Sequence, residues 1–130
     1  QGGATDAPLG VFGGCEYQNT SGEVIFTRRF VSGTTTLGSA NVKAYVYADP
    51  NIVYEAQFTG TPSQADVGKV HTISTTAGDT NNNRSKEGVT TTTASGIAKL
   101  VAYVDRPDNS ANAQYARGYF IFPASTYGND

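Results

Sequence analysis

Few residues of this chain stand in a pattern that could do chemistry. Asp79, Asn81 and Asn83 occupy alternate positions, as the first ligands of a calcium-binding loop do. Such a loop also needs a turn glycine and a closing bidentate glutamate, and this chain has Arg84 and Thr90 there. The stretch therefore reads as a solvated polar loop. His71 is the only histidine and has no second His or Cys at ligand spacing, which argues against a metal site. Cys15, the sole cysteine, follows Gly13-Gly14 with no adjacent histidine or basic group, so it reads as a small buried thiol and not a nucleophile. Asp105 and Asp108 flank Arg106-Pro107, where turn formation and a local ion pair explain them better than paired acid–base work. There is no G-x-S-x-G nucleophile motif. The expectation is a protein with no catalytic residue, no metal and no cofactor.

The aromatic residues say more. The chain has 8 tyrosines, and six of them fall into two groups, Tyr45, Tyr47 and Tyr54, then Tyr103, Tyr115 and Tyr119. Tyrosine joins an apolar ring to a polar tip and is favoured at interfaces. In the bland reading these rings line the wet edge of a sheet or brace loops. In the functional one they form a contact surface or a platform on which a sugar stacks. Arg28-Arg29-Phe30 combines the residue types favoured at interface cores and is a candidate docking patch, with ordinary exposed strand residues as the alternative.

These residues must be positioned by strands. Lys43 to Phe58 reads KAYVYADPNIVYEAQF, two β-branched and aromatic runs about an Asp-Pro-Asn turn, which predicts a hairpin or a strand bend. Gly96 to Phe122 repeats the grammar: IAKLVAYV, a polar loop, then YARGYFIF. Further strands are predicted over Leu9–Tyr17, Glu23–Phe30, Asn41–Tyr47, Ile52–Phe58, Val70–Ser74, Val89–Thr93, Lys99–Asp105 and Arg117–Phe122. In the fourth, Ile52, Tyr54, Ala56 and Phe58 share one side, and Val53, Glu55 and Gln57 the other. The continuous apolar run Tyr119–Phe122 predicts a strand covered on both faces. Thr61–Asp66 is the one credible helical turn, with Thr61 as cap, Pro62 in the first position and Gly68 as terminator. The predicted fold is all-β: a single-domain small β-barrel or two-sheet β-sandwich over residues 9–130, preceded by a flexible N-terminal arm over residues 1–8.

Composition narrows the function classes. With 130 residues the chain fits one domain, and its apolar share of 38% is below the usual ~45–50%. Gly, Thr, Ser and Asn fill the gap, which favours strands and turns. A net charge of −2, with Arg28-Arg29 the only basic pair, argues against a nucleic-acid partner. No apolar run approaches a membrane span, and the first residues lack the charged-then-apolar pattern of a signal peptide. The chain starts with Gln1 and contains no methionine, which is consistent with either a processed or a missing start. A lone unpaired cysteine fits maturation in a reducing cytoplasm.

In order and phrasing, four segments carry a resemblance: VFGGCEYQNTSGEVIFTRRF, AYVYADPNIVYEAQ, ADVGKVHTISTTAGDTNNNRS and LVAYVDRPDNSANAQYARGYFIF, which together span roughly residues 10–122. The chain resembles the small virion structural proteins of tailed phages, particularly those of cyanobacteria and other marine bacteria. The resemblance implies a capsid decoration, or cement, protein, made in the host bacterial cytoplasm and carried on the exterior of the virion capsid. Its implied partners are the phage major capsid protein and copies of itself, as trimers before dimers, with no direct nucleic-acid or membrane contact. The interface candidates that follow are the arm residues Gln1, Gly2, Gly3, Ala4, Thr5 and Asp6, together with Arg28, Arg29, Phe30, Tyr45, Tyr47 and Tyr54. A virion carbohydrate-binding or host-adhesion module that uses exposed tyrosines is the alternative.

Overall fold

The computed structural model describes residues 8–30, 34, 36, 42–79, 81–82 and 84–123. The arm candidates Gln1 to Asp6 lie outside the described residues, as does Asn83. The fold is all-β, with two antiparallel sheets, and the described residues contain no α-helix. The chain divides into two compact units, Gly10–Ala48 and the part from Asp49 onward.

The first unit holds β1 (Val11–Gln18), β2 (Val24–Thr27) and β3 (Lys43–Tyr47) in the order β2-β1-β3. Asn19 makes the β1–β2 hairpin. Its Oδ1 accepts from the backbone N–H of Ser21 at 3.0 Å and of Glu23 at 2.9 Å, and its Nδ2 donates to Glu23 Oε2 at 2.7 Å. A short polar side chain thus does the work of a backbone turn. The pairing that results sets Glu16 opposite Phe26 and Gln18 opposite Val24. On the other side of β1 a bulge at Gly13 shifts the register, leaving Gly14 opposite Tyr45 and Val11 opposite Tyr47.

The second unit holds β4 (Tyr54–Gln57), β5 (Val70–His71), β6 (Ala98–Tyr103) and β7 (Arg117–Ile121) in the order β4-β7-β6-β5. Its core is Phe58, Val89, Ala98, Leu100 and Phe120, with Ala56, Ile73, Tyr103 and Phe122 packed against it. Phe58 is the hub, its ring lying 5.4 Å from Phe120 and 5.2 Å from His71, edge to face in both cases. His71 is wholly buried there, its Nδ1 3.1 Å from the Thr90 carbonyl. The predicted sidedness of the Ile52–Phe58 stretch is present. Ile52, Tyr54, Ala56 and Phe58 are covered, while Val53, Glu55 and Gln57 are exposed.

Several expectations need correction. Of the two alternatives for the Asp-Pro-Asn segment the bend is present and the hairpin is not, since β3 pairs with β1 and β4 with β7. Asp49 instead folds the chain locally, accepting at Oδ1 from Asn51 N–H at 2.8 Å, and hands it from one sheet to the other. Val89–Thr93 is no strand. Val89 bridges both Phe58 and Ile73, but the chain then bonds to Thr72, so neither ladder grows long. The helical turn is a 3₁₀ turn at Gln64–Asp66, capped by Ser63 and not Thr61. Asp66 reaches back to the Ser63 N–H at 2.8 Å, which closes the turn after Pro62. Over Tyr119–Phe122 only one face is deeply covered, since Phe120 is buried and Tyr119 is 36% exposed. Both sheets are open, their edges being β2 and β3 in the first and β4 and β5 in the second.

Candidate docking face and a polar hollow

The β2-β1-β3 sheet has little core of its own. Cys15, buried as expected, is its one buried hydrophobic side chain among the described residues. The register puts Val11, Glu16, Gln18, Val24, Phe26, Lys43, Tyr45 and Tyr47 on one face. Phe26 is 71% exposed and Tyr47 60%, although both are large rings on a regular strand. An ordered apolar surface of this kind is a normal mark of an interaction site.

Local geometry fixes the rings. Tyr47 rests against Gly13, where a Cβ would stand 2.6 Å from the ring and displace it. Tyr45 donates its hydroxyl to Glu16 Oε2 at 2.6 Å. That bond favours the protonated phenol and raises its pKa above the usual value, with burial and the Glu16 charge acting in the same direction. Phe26, Arg28 and Tyr45 rim a hollow of about 270 Å³ beside Gly13 and Gly14. Tyr45, Val46 and Tyr47 line a neighbouring one of about 280 Å³. The face offers stacking and apolar contact edged by one carboxylate and one ammonium, at Glu16 and Lys43, which stand in register.

Of the candidates named from sequence, the structure brings Arg28, Tyr45 and Tyr47 together. Phe30 packs edge-on against Tyr17 at 5.5 Å, and Tyr17 belongs to the opposite face of β1. Arg29 is exposed but does not line the hollow. Tyr54 belongs to the other unit, where its ring lies 5.2 Å from Phe122. Burial, then the Asp49 charge, raises the Tyr54 pKa. The second tyrosine group is divided as well. Tyr103 donates to the Ser63 carbonyl at 2.7 Å, and burial followed by the Asp66 charge pushes its pKa up to about 12. Phe26, the most exposed ring among the described residues, is not among the candidates that the sequence suggests. Its strand alternates apolar residues on both sides, so nothing in the pattern told the inner face from the outer.

A second feature lies at the β6–β7 turn. Glu55 on β4 takes Arg106 Nη2 at 3.2 Å and Arg117 Nη1 at 3.7 Å. Arg106 thus pairs across the sheet, correcting the expected local ion pair with Asp105 or Asp108, because the turn carries its guanidinium over β4. Asn109 pins this turn. Its Nδ2 donates to the carbonyls of Val104 at 2.8 Å and Arg117 at 2.9 Å, and its Oδ1 accepts from Arg117 N–H at 2.7 Å. Beside it opens a hollow of about 200 Å³ lined by Gln57, Arg106, Asp108, Asn109, Gln114, Tyr115 and Arg117.

Among the described residues, no three His, Cys, Asp or Glu side chains cluster as metal ligands. No helix among them is long and apolar enough to cross a membrane. No family model matches the chain, no curated protein matches its sequence, and no solved structure matches its fold.

Proposed function

We propose that this chain is a non-enzymatic structural virion protein: a capsid decoration protein that binds the major capsid protein on the exterior of a phage head and stabilises contacts between its subunits. The observation that carries the reading is the open β2-β1-β3 sheet, whose Phe26, Tyr45 and Tyr47 rings stand exposed on one face. A three-stranded sheet with one buried hydrophobic side chain gains from a second layer, and a capsid surface would provide one. Aromatic side chains with Arg28 at the rim are what a well-packed interface uses. The sheet edges β2 and β3 also leave peptide groups for strand addition, the mode in which the arm residues Gln1 to Asp6 would engage a neighbour. Many copies need only a modest interface each, because symmetry multiplies the effect. Self-association as trimers at three-fold positions is preferred to dimers.

The test mixes purified protein with expanded heads that lack it, then measures pelleting stoichiometry and the temperature of DNA release. Saturable binding in whole-number ratio to the major capsid protein, with release moved upward, supports the proposal. Heads that neither bind nor gain stability refute it. The second reading, a carbohydrate-binding or host-adhesion module, is favoured by Tyr45 and Tyr47 standing two residues apart on one face of β3. It would lead if the heads failed to bind while glycans bound through those rings.

A further inference from the structure

The hollow at the β6–β7 turn is made of parts that the docking face does not use. Tyr115 is 53% exposed, and with φ +64 it is the one non-glycine residue among those described in the left-handed region. A bulky side chain rarely sits there unless its surroundings hold it. They do so here on both sides. The Tyr115 N–H donates to the Gly60 carbonyl at 3.2 Å, and Gln57 Nε2 donates to the Tyr115 carbonyl at 3.0 Å. The backbone that carries the ring is thereby held beside a cleft whose turn is pinned by Asn109.

The other side chains around the cleft are planar and polar. Arg106 and Arg117 each give one terminal nitrogen to Glu55, which leaves further N–H donors on both guanidiniums. Asp108 offers acceptors only, and Gln114 offers both donor and acceptor. Neither side chain is hydrogen-bonded to another described residue. The two arginines are balanced by Glu55 and Asp108, so the cleft favours neither an acidic nor a basic ligand. The volume of about 200 Å³ is below the usual ~300–1,000 Å³ of a drug-sized site.

We infer that this hollow binds one neutral pyranose residue of a glycan. Vicinal hydroxyls both donate and accept, and so match a rim that alternates guanidinium, carboxylate and amide. The C–H face of the sugar would lie on Tyr115, as apolar surface on an aromatic ring. This site is separate from the Tyr45–Tyr47 face and does not depend on the decoration role.

The experiment is a titration of the ¹⁵N-labelled full chain, followed by amide shifts. The probes are the methyl glycosides of glucose, galactose, mannose and N-acetylglucosamine, with glucuronate as the acidic control. At least one neutral glycoside should give saturable shifts centred on Asn109, Tyr115 and Arg117, with a dissociation constant on the order of millimolar. Tyr115→Gly should weaken that binding by about tenfold or more. Glycine relieves the backbone at this position, so the loss is not one of folding. Asp108→Asn, which keeps the shape but replaces a pure acceptor, should weaken it as well. Absence of shifts with every neutral glycoside up to tens of millimolar overturns the inference. So do shifts centred on Tyr45 and Tyr47, a preference for glucuronate, or unchanged affinity in Tyr115→Gly.

Discussion

Replacing Phe26 by threonine should separate folding from docking. A phenylalanine side chain carries ~200 Å² of surface, and at 71% exposure roughly 140 Å² of it lies in water. Covering that area at ~25 cal/mol per Å² is worth about 3.5 kcal/mol, or ~400-fold in affinity. Ordering and desolvation take back part of the gain, so the loss expected in Phe26→Thr is between ~10- and ~400-fold. The folded chain stands to lose much less. Only ~60 Å² of Phe26 is covered within the unit, at most about 1.5 kcal/mol, and threonine keeps the β preference. Co-sedimentation with expanded heads reads the first quantity, and urea denaturation followed by far-UV circular dichroism reads the second. Val101→Thr is the control, since Val101 is 46% exposed but lies on the other sheet, and it should leave binding unchanged. Binding of Phe26→Thr within twofold of the parent would refute the assignment of this face as the docking surface. A stability loss above about 3 kcal/mol would refute the premise that Phe26 contributes little to folding.

Other perturbations test the second unit. Leu100→Ala empties a fully buried position in the cluster that holds Phe58 and Phe120 and should cost about 2–5 kcal/mol in urea denaturation. Gly96→Ala would set a Cβ 2.3 Å from the Val70 carbonyl carbon and 2.4 Å from His71 N, both backbone atoms. β5 must then move off β6, at a cost of about 1–3 kcal/mol, with hydrogen-exchange protection lost at Ile97, whose N–H bonds His71 O. The Ser63 backbone N–H, Lys69 and the Ser63 hydroxyl hold the Asp66 carboxyl below its usual pKa against a smaller opposing effect of burial. Because the folded pKa is the lower one, the contribution is complete above the ordinary carboxylate range and is lost as pH falls through the folded value. Asp66→Asn should therefore flatten the acid limb of the stability–pH curve. Tyr103 has its pKa raised to about 12, so its contribution is complete below the ordinary tyrosine value and is lost as pH rises through about 12. An ultraviolet titration should show a phenol that ionises near pH 12, later than the ordinary tyrosine value, and that phase should disappear in Tyr103→Phe.

Much of the fold was legible in the residues. Runs of Val, Tyr, Phe and Thr broken by Asn-Thr-Ser-Gly and by the 104–116 loop mark strands and hairpins because alternation and turn chemistry act over a few neighbours. The β1–β2 and β6–β7 hairpins, the buried Cys15 and the sidedness of Ile52–Phe58 follow from such local rules. Partner choice does not. Whether KAYVY and IVYEAQF pair with each other or with distant strands depends on which long-range ladder buries more, and an Asp-Pro-Asn turn is compatible with either. For that reason the sequence groups Tyr45 and Tyr47 with Tyr54, which the fold sends to the other sheet.

The sequence by itself determined the class of this protein: a β-rich chain whose local grammar contains no motif for metal binding or nucleophilic catalysis. Tertiary structure alone decided which rings are left in water and which charges meet. Phe26 and Phe120 are the same residue in short apolar strands, yet one is 71% exposed and the other 1%. Arg106 finds Glu55, 51 positions away, in preference to the aspartates beside it. Exposure and ion pairing are set by what packs above a strand, and that is a property of the whole chain's register, not of the strand's own residues.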